Sequence, residues 1–214
     1  MRPFVASCAA TISNICVHPL DTIYIQKQLQ KNQIENVWAG VLESAISSFF
    51  ATGFYFSIYE YCFEKITGIY KIPISTFLGT SFSAIVSTPL SVSKKRAQVN
   101  TNYSNLSQLK WFQLYLLNIG NKFPRSVLKY SMYEPLLVLC KSFYSNLISG
   151  FISSLVASLL AAIVFEPIEL TRTYQSLGLS TNYSNIYNGL RYGVFSSISQ
   201  NVIGHTILEI VAPR

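Results

Sequence analysis

The sequence predicts an all-α membrane protein with six transmembrane helices in three tandem pairs, and three observations predict it. Half of the residues are hydrophobic and 12% are charged, about half the charged share of an ordinary soluble domain. The apolar residues fall in six long runs, roughly 4–29, 40–66, 72–99, 111–143, 147–175 and 190–211, the length class of bilayer crossings. A proline motif recurs towards the end of each odd run, as Pro19-Leu20-Asp21, Pro89-Leu90-Ser91 and Pro167-Ile168-Glu169, at intervals of 70 (19 to 89) and 78 (89 to 167) residues. That period divides the 214 residues into one domain of three repeats, approximately 1–70, 71–144 and 145–214.

The first run, from Phe4 to about Leu29, holds Ala6 and Ala10 thirteen and nine residues before Pro19. The same offsets give Thr76 and Thr80 before Pro89, and Ser154 and Ser158 before Pro167. Small residues four apart let helices approach closely where lipid supplies no hydrophobic drive. Pro19, Pro89 and Pro167 each bend a helix and free a carbonyl that a neighbour must cover. After a polar link, Lys31 to Asn36, the second run opens on Trp38-Ala39-Gly40 and ends near Tyr59-Glu60, nineteen residues beyond Gly40. Gly189 precedes Leu208-Glu209 by the same nineteen, whereas Leu114 stands at that distance from Tyr133-Glu134.

The charge of +7 does not point to nucleic acid, because several of the bases lie inside a hydrophobic run. Cys8, Cys16, Cys62 and Cys140 lack CxxC spacing and sit in apolar surroundings, so they read as packing residues. No cleavable presequence pattern precedes the first run, so targeting is expected to be internal. Lys and Arg are mildly enriched in the links after the proline motifs, too weakly to set orientation. No nucleophile–base pair, metal-spaced His/Cys cluster or glycine-rich phosphate loop is present, which argues against an enzyme and implies no cofactor. His18 and His205 read as structural.

Three helix pairs, with Pro-x-[Asp/Glu]-x-x-[Lys/Arg] ending the odd helix and [Phe/Tyr]-[Asp/Glu] late in the even one, resemble the mitochondrial carrier family over Phe4 to Glu209. The resemblance implies a six-helix pseudo-threefold barrel around a central cavity, alternating between matrix-open and cytosol-open states in the mitochondrial inner membrane or that of a related organelle. It implies a monomer in the lipid bilayer, with cardiolipin a candidate lipid, and a small anionic substrate. The matrix gate would use Asp21 with Lys94, Arg172 opposite Ser91, and Glu169 opposite Tyr24, whose hydroxyl can replace a base. Gln28 and Gln98 would brace the first two links, with Ser176 in place of the third glutamine. On this reading Asp21–Lys94 is the one ordinary bridge, so Asp21→Ala is expected to impair the protein more than Glu169→Ala. Glu43 and Glu166 could also join the network, Glu166 with Lys27.

The cytosolic gate would comprise Tyr59, Glu60, Tyr133, Glu134 and Glu209, but the bases expected three residues after the acids are Phe63, Leu137 and Ala212. The links after the proline motifs are also too short for the family's usual matrix helices. These departures motivate an alternative, a degenerate carrier-fold protein that transports nothing and acts as a membrane interaction module.

Substrate contacts in the family lie on one face of each even helix. They map here onto Ser47, Ser48, Ala51 and Tyr55, onto Asn121, Lys122, Arg125 and Lys129, and onto Ser196, Ser197, Gln200 and Gly204. Lys122, Arg125 and Lys129 flank Pro124 at spacings of three and four, and burying like charges together in an apolar helix is costly without an anion to meet them. The implied substrate is a phosphate or carboxylate, with Tyr55 and Tyr130 able to stack on a base. Asn14 is a further polar group that can line the cavity or bond between helices.

Overall fold

A computed structural model describes residues 2–31, 34, 36–68, 70–100, 106–144, 146–180 and 190–211. Six helices account for most of them: α1 (Arg2–Gln28), α2 (Val41–Lys65), α3 (Lys71–Val99), α4 (Gln108–Lys141), α5 (Asn146–Ser176) and α6 (Leu190–Val211). No strand occurs among the described residues, and each helix begins and ends within three residues of its apolar run. Three stretches are long and apolar enough to cross a membrane, Pro3–Gln28, Val41–Lys65 and Ile148–Ser176. Gly189 and the side chains of Lys129, Tyr130, Tyr133, Glu134, Ser154, His205, Leu208 and Glu209 lie outside the described residues.

The distribution of side chains is the reverse of a water-soluble protein. Among the largest fully buried groups are His18, Gln26, Gln28, Gln98, Asn118 and Asn121, beside many serines, threonines and alanines. The exposed set is instead rich in Phe, Ile and Leu, for example Phe4, Leu42, Phe54, Phe82, Ile85, Leu116 and Val164. Soluble proteins bury such residues and leave amides out. Large apolar groups outward with small or polar groups inward are compatible with a hydrocarbon surround.

Small residues bring the helices together. Thr76, Thr80 and Ser158, three of the repeated offset positions, are buried. A Cβ on Gly79 of α3 would lie 3.0 Å from the Tyr55 carbonyl of α2, and one on Gly53 of α2 would lie 2.9 Å from Ser7 of α1. Several of the internal hydroxyls satisfy themselves on their own helix, as Thr88 does on the Ala84 carbonyl (2.6 Å) and Thr171 on that of Pro167 (2.9 Å). Each helix packs on its sequence neighbours, and α6 returns to α1. The α3–α4 contact is the sparsest of these, and the odd helices also touch through α1–α3 and α3–α5. All four cysteines are free thiols.

The links are short, and their described residues contain no further helix. α3 ends on Asn100 in the left-handed region (φ 50°), which asparagine tolerates. Gly40, ahead of α2, has φ 78°, and a Cβ there would meet the Lys94 carbonyl oxygen at 2.8 Å. Gly68, in the next link, has φ 86° but open space around it. Gly40→Ala therefore adds a clash to the backbone strain of ~1–2 kcal/mol that Gly68→Ala carries alone. We expect Gly40→Ala to lower the melting temperature in detergent clearly more than Gly68→Ala; equal shifts would mean that α2 does not rest on the α3 backbone at this point.

Candidate functional site: a polar cavity and the network that closes it

The charged residues near the three proline motifs lie on α1, α3 and α5, and helical geometry decides which neighbour each one reaches. Successive residues turn by about 100° around a helix. Lys94 and Lys95 therefore leave α3 in different directions. Lys94 Nζ meets Asp21 Oδ2 of α1 at 2.5 Å. Lys95 Nζ reaches α5, at 3.2 Å from Glu169 Oε1 and 2.9 Å from Thr173 Oγ1. The third side is closed without a base, because Tyr24 Oη of α1 donates to Glu166 Oε1 of α5 at 2.6 Å. Each pair of odd helices is thus tied at this layer.

Three of the expected pairings are corrected. Tyr24 meets Glu166 and not Glu169, one helical turn away. Arg172 does not turn to Ser91; its Nη2 donates to Glu169 Oε1 of its own helix (2.7 Å) and its Nη1 to Asn118 Oδ1 of α4 (2.8 Å). Glu166 has Tyr24 and Gln28 as partners and forms no ion pair with Lys27 among the described residues. The glutamines are also redistributed. Gln98 Nε2 bonds Thr22 Oγ1 (2.9 Å), beside the Asp21–Lys94 bridge. Gln28 Nε2 lies under the tyrosine link, at 2.5 Å from Tyr24 Oη and 3.1 Å from Glu166 Oε1. Ser176 turns back to the Thr173 carbonyl of α5.

Above this layer lie two adjoining chambers of a cavity, of ≈ 420 and ≈ 340 Å³. They share Asp21, Ser126, Arg172, Ser196 and Gln200 as a common wall. Ser47, Ser48, Tyr55, Asn14, Ser91, Lys94 and Lys122 line the larger chamber, and Tyr24, Arg125, Glu166 and Glu169 the smaller. Asn14 donates to Ser48 across the α1–α2 seam. Most residues assigned to substrate from the sequence therefore share one space. Gly204 and Asn121 do not line it: Asn121 is 2% exposed and donates to Glu169 Oε2 at 2.6 Å, inside the network.

The electrostatics of the lining sort into met and unmet charges. Lys94 has Asp21, while Arg172 has Glu169. Among the described residues Lys122 bonds to the Ser87 hydroxyl, at 2.7 Å, and Arg125 Nη2 to the Ser197 hydroxyl, at 3.1 Å. Neither forms an ion pair among the described residues. A hydroxyl dipole is a weak partner for a desolvated cation, so both are open to an anion. No family model matches the chain, and no characterised protein matches it.

Two features had no counterpart in the sequence reading. Ser87 and Asn118 join Lys122 to Arg172 in a continuous path, and Lys95 meets Glu169 at its far end. Lys122 donates to Ser87, to which Asn118 Nδ2 also donates (3.2 Å), and Asn118 Oδ1 takes Arg172, which holds Glu169. The path runs from an open cation in the cavity to the acid that ties α3 to α5. The second is an aromatic ladder at the other end of α2, Tyr55 on Tyr59 (5.7 Å) and Tyr59 on Phe63 (5.4 Å), with Lys71 Nζ 3.7 Å above the Phe63 ring. Phe63, standing where a base was expected, holds a cation from α3 through its ring face. Glu60 makes no ion pair among the described residues.

Proposed function

We propose that the protein is a mitochondrial-carrier-type secondary transporter that exchanges an anionic metabolite, a nucleotide or other phosphorylated compound, by alternating access. The observation that carries this reading is the pair of cavity bases that form no ion pair among the described residues, Lys122 and Arg125, facing a lining rich in hydroxyls. Arg125 can grip a phosphate or carboxylate as a fork and Lys122 as a point charge, while Tyr55 offers a ring for stacking. Three links between α1, α3 and α5 at one end suit a closed gate, and the hydrogen-bonded path from Lys122 to Glu169 gives an anion a way to loosen it.

The architecture proposed is six spans in three tandem pairs, forming a pseudo-threefold barrel. Support comes from the proline repeat, from the packing of each helix on its sequence neighbours with α6 against α1, and from the outward apolar residues. α3, α4 and α6 fall below the hydropathy of a lone span because their inner faces are polar, which a cavity allows. Exposed Trp38 and Trp111 lie at the beginnings of α2 and α4, and Tyr61, Phe143 and Tyr144 at their far ends, as in the aromatic belts of membrane interfaces. The location proposed is the mitochondrial inner membrane or the inner membrane of a related organelle, with the protein as a monomer. The reading requires no cofactor and no chemical step.

The test is a thermostability screen of the detergent-solubilised protein against phosphate, nucleotides and keto acids, followed by counter-exchange in proteoliposomes. A ligand that binds only the folded state raises its melting temperature, and the expected hits are phosphorylated anions that also exchange. A complete absence of stabilisation and exchange would favour the non-transporting interaction module.

A further inference from the structure

Three acids line the cavity, and they are not equivalent. Asp21 faces Lys94, and Glu169 takes Lys95 and Arg172. Glu166 forms no direct ion pair among the described residues: its Oε1 accepts from the neutral donors Tyr24 and Gln28, and the residue is 4% exposed. A buried carboxylate held by neutral groups alone pays for its charge unless a proton or a cation joins it. Its surroundings are mixed. α1 presents Tyr24 and Asp21, α4 presents Arg125, α5 itself Glu169 and Arg172, and α3 reaches this layer through Lys95 on Glu169. α6 brings no charged group among its residues that line this chamber.

With the internal pairs set aside, the described residues of the cavity include two cations without an ion pair, Lys122 and Arg125, and one such acid, Glu166. We propose that Glu166 is a proton-binding site that fills together with the anion, so that the substrate crosses accompanied by a proton; this rests on the anion-transport reading above. An ionised Glu166 shares the smaller chamber with Arg125 and repels an entering anion. A protonated one leaves two cations for a doubly charged group such as a phosphate ester. Because linkage is reciprocal, bound anion raises the affinity of Glu166 for its proton by the same factor. The proton enters from the side to which the cavity is open, is held on a carboxylate oxygen, and leaves on the other side after the anion.

The experiment uses proteoliposomes of the full chain, with labelled phosphate and labelled ADP as probes and a pH gradient, acid outside. The readout is the ratio of uptake with the gradient to uptake without it, which normalises for any change in absolute rate. The wild type should show a ratio of several-fold and Glu166→Gln a ratio near one. A wild-type ratio near one overturns the proposal, as does Glu166→Gln keeping the wild-type ratio, since the proton would then ride on the probe itself. Should Glu166→Gln not fold, Tyr24→Phe serves in its place: it removes the hydroxyl that holds the carboxylate, so the pH profile of uptake should shift, and an unmoved profile counts against Glu166. Exchange of neither probe by the wild type sinks the transport reading and this proposal with it, whereas exchange indifferent to pH sinks this proposal alone.

Discussion

Glu169→Ala should be the most damaging single substitution in the network, and Asp21→Ala a milder one. Glu169 accepts from Lys95, Arg172 and Asn121 at once, drawing together α3, α4 and α5. Lys95 is 3% exposed, so without Glu169 it keeps only the Thr173 hydroxyl, and Arg172 loses its counter-ion too. Removing one partner of a buried ion pair costs about 3–5 kcal/mol because the other charge is stranded. Asp21 holds a single base, and that base, Lys94, lines the cavity where water can reach it; its loss should cost nearer 1 kcal/mol. The melting temperature in detergent should accordingly fall by on the order of 10 °C for Glu169→Ala and by a few degrees for Asp21→Ala. Glu169→Gln, which keeps an acceptor but not the charge, should fall between them. An Asp21→Ala drop as large as that of Glu169→Ala would mean that Lys95 and Arg172 find other partners. This ranking reverses the one expected from the sequence, in which Asp21–Lys94 was the one ordinary bridge.

The reason for the reversal shows what the sequence could carry. The six helices were legible because a chain that faces lipid leaves long apolar runs, broken only by its links. The cavity wall was legible in part: offsets along one helix place Ser47, Tyr55, Lys122, Ser196 and Gln200 on inward faces, since side chains three and four apart share a face. Pairings between helices were not, because they depend on rotation and axial shift, neither of which a repeat offset contains. A shift of one turn sends Tyr24 to Glu166 in place of Glu169. A rotation of one residue makes Lys95 the α3–α5 bridge, although Lys94 matched the motif. The signal for Lys95 was present: two adjacent lysines on an apolar helix cannot share one face, so the second needed an acid on another neighbour. Asn121 was misread for a related reason. It lies on the same helix as Lys122, but its amide satisfies Glu169 in a packed layer, where a buried carboxylate needs every donor it can find.

Arg125→Ala should abolish the exchange of whatever anion the protein moves, and Lys122→Ala should weaken it severely. Arg125 lines the smaller chamber at part exposure, and its partner among the described residues is the Ser197 hydroxyl. A guanidinium so loosely held is free to form two parallel hydrogen bonds with an oxyanion. Losing a buried, hydrogen-bonded partner of a charged ligand costs roughly 2–5 kcal/mol, a fall in apparent affinity of about 30-fold or more. Lys122 supplies one point charge, and its loss also removes a donor to Ser87, so the path to Arg172 and Glu169 slackens. Arg125→Lys separates charge from geometry. It keeps the cation but not the fork, so it should restore only part of the exchange if a phosphate is gripped at two oxygens. Full restoration would mean that charge alone recruits the anion. Binding measured through ligand-induced thermal stabilisation should track exchange across the three variants, since the proposed contact is made in the bound state. Exchange lost with stabilisation intact would instead assign Arg125 to the conformational step and leave the anion on Lys122.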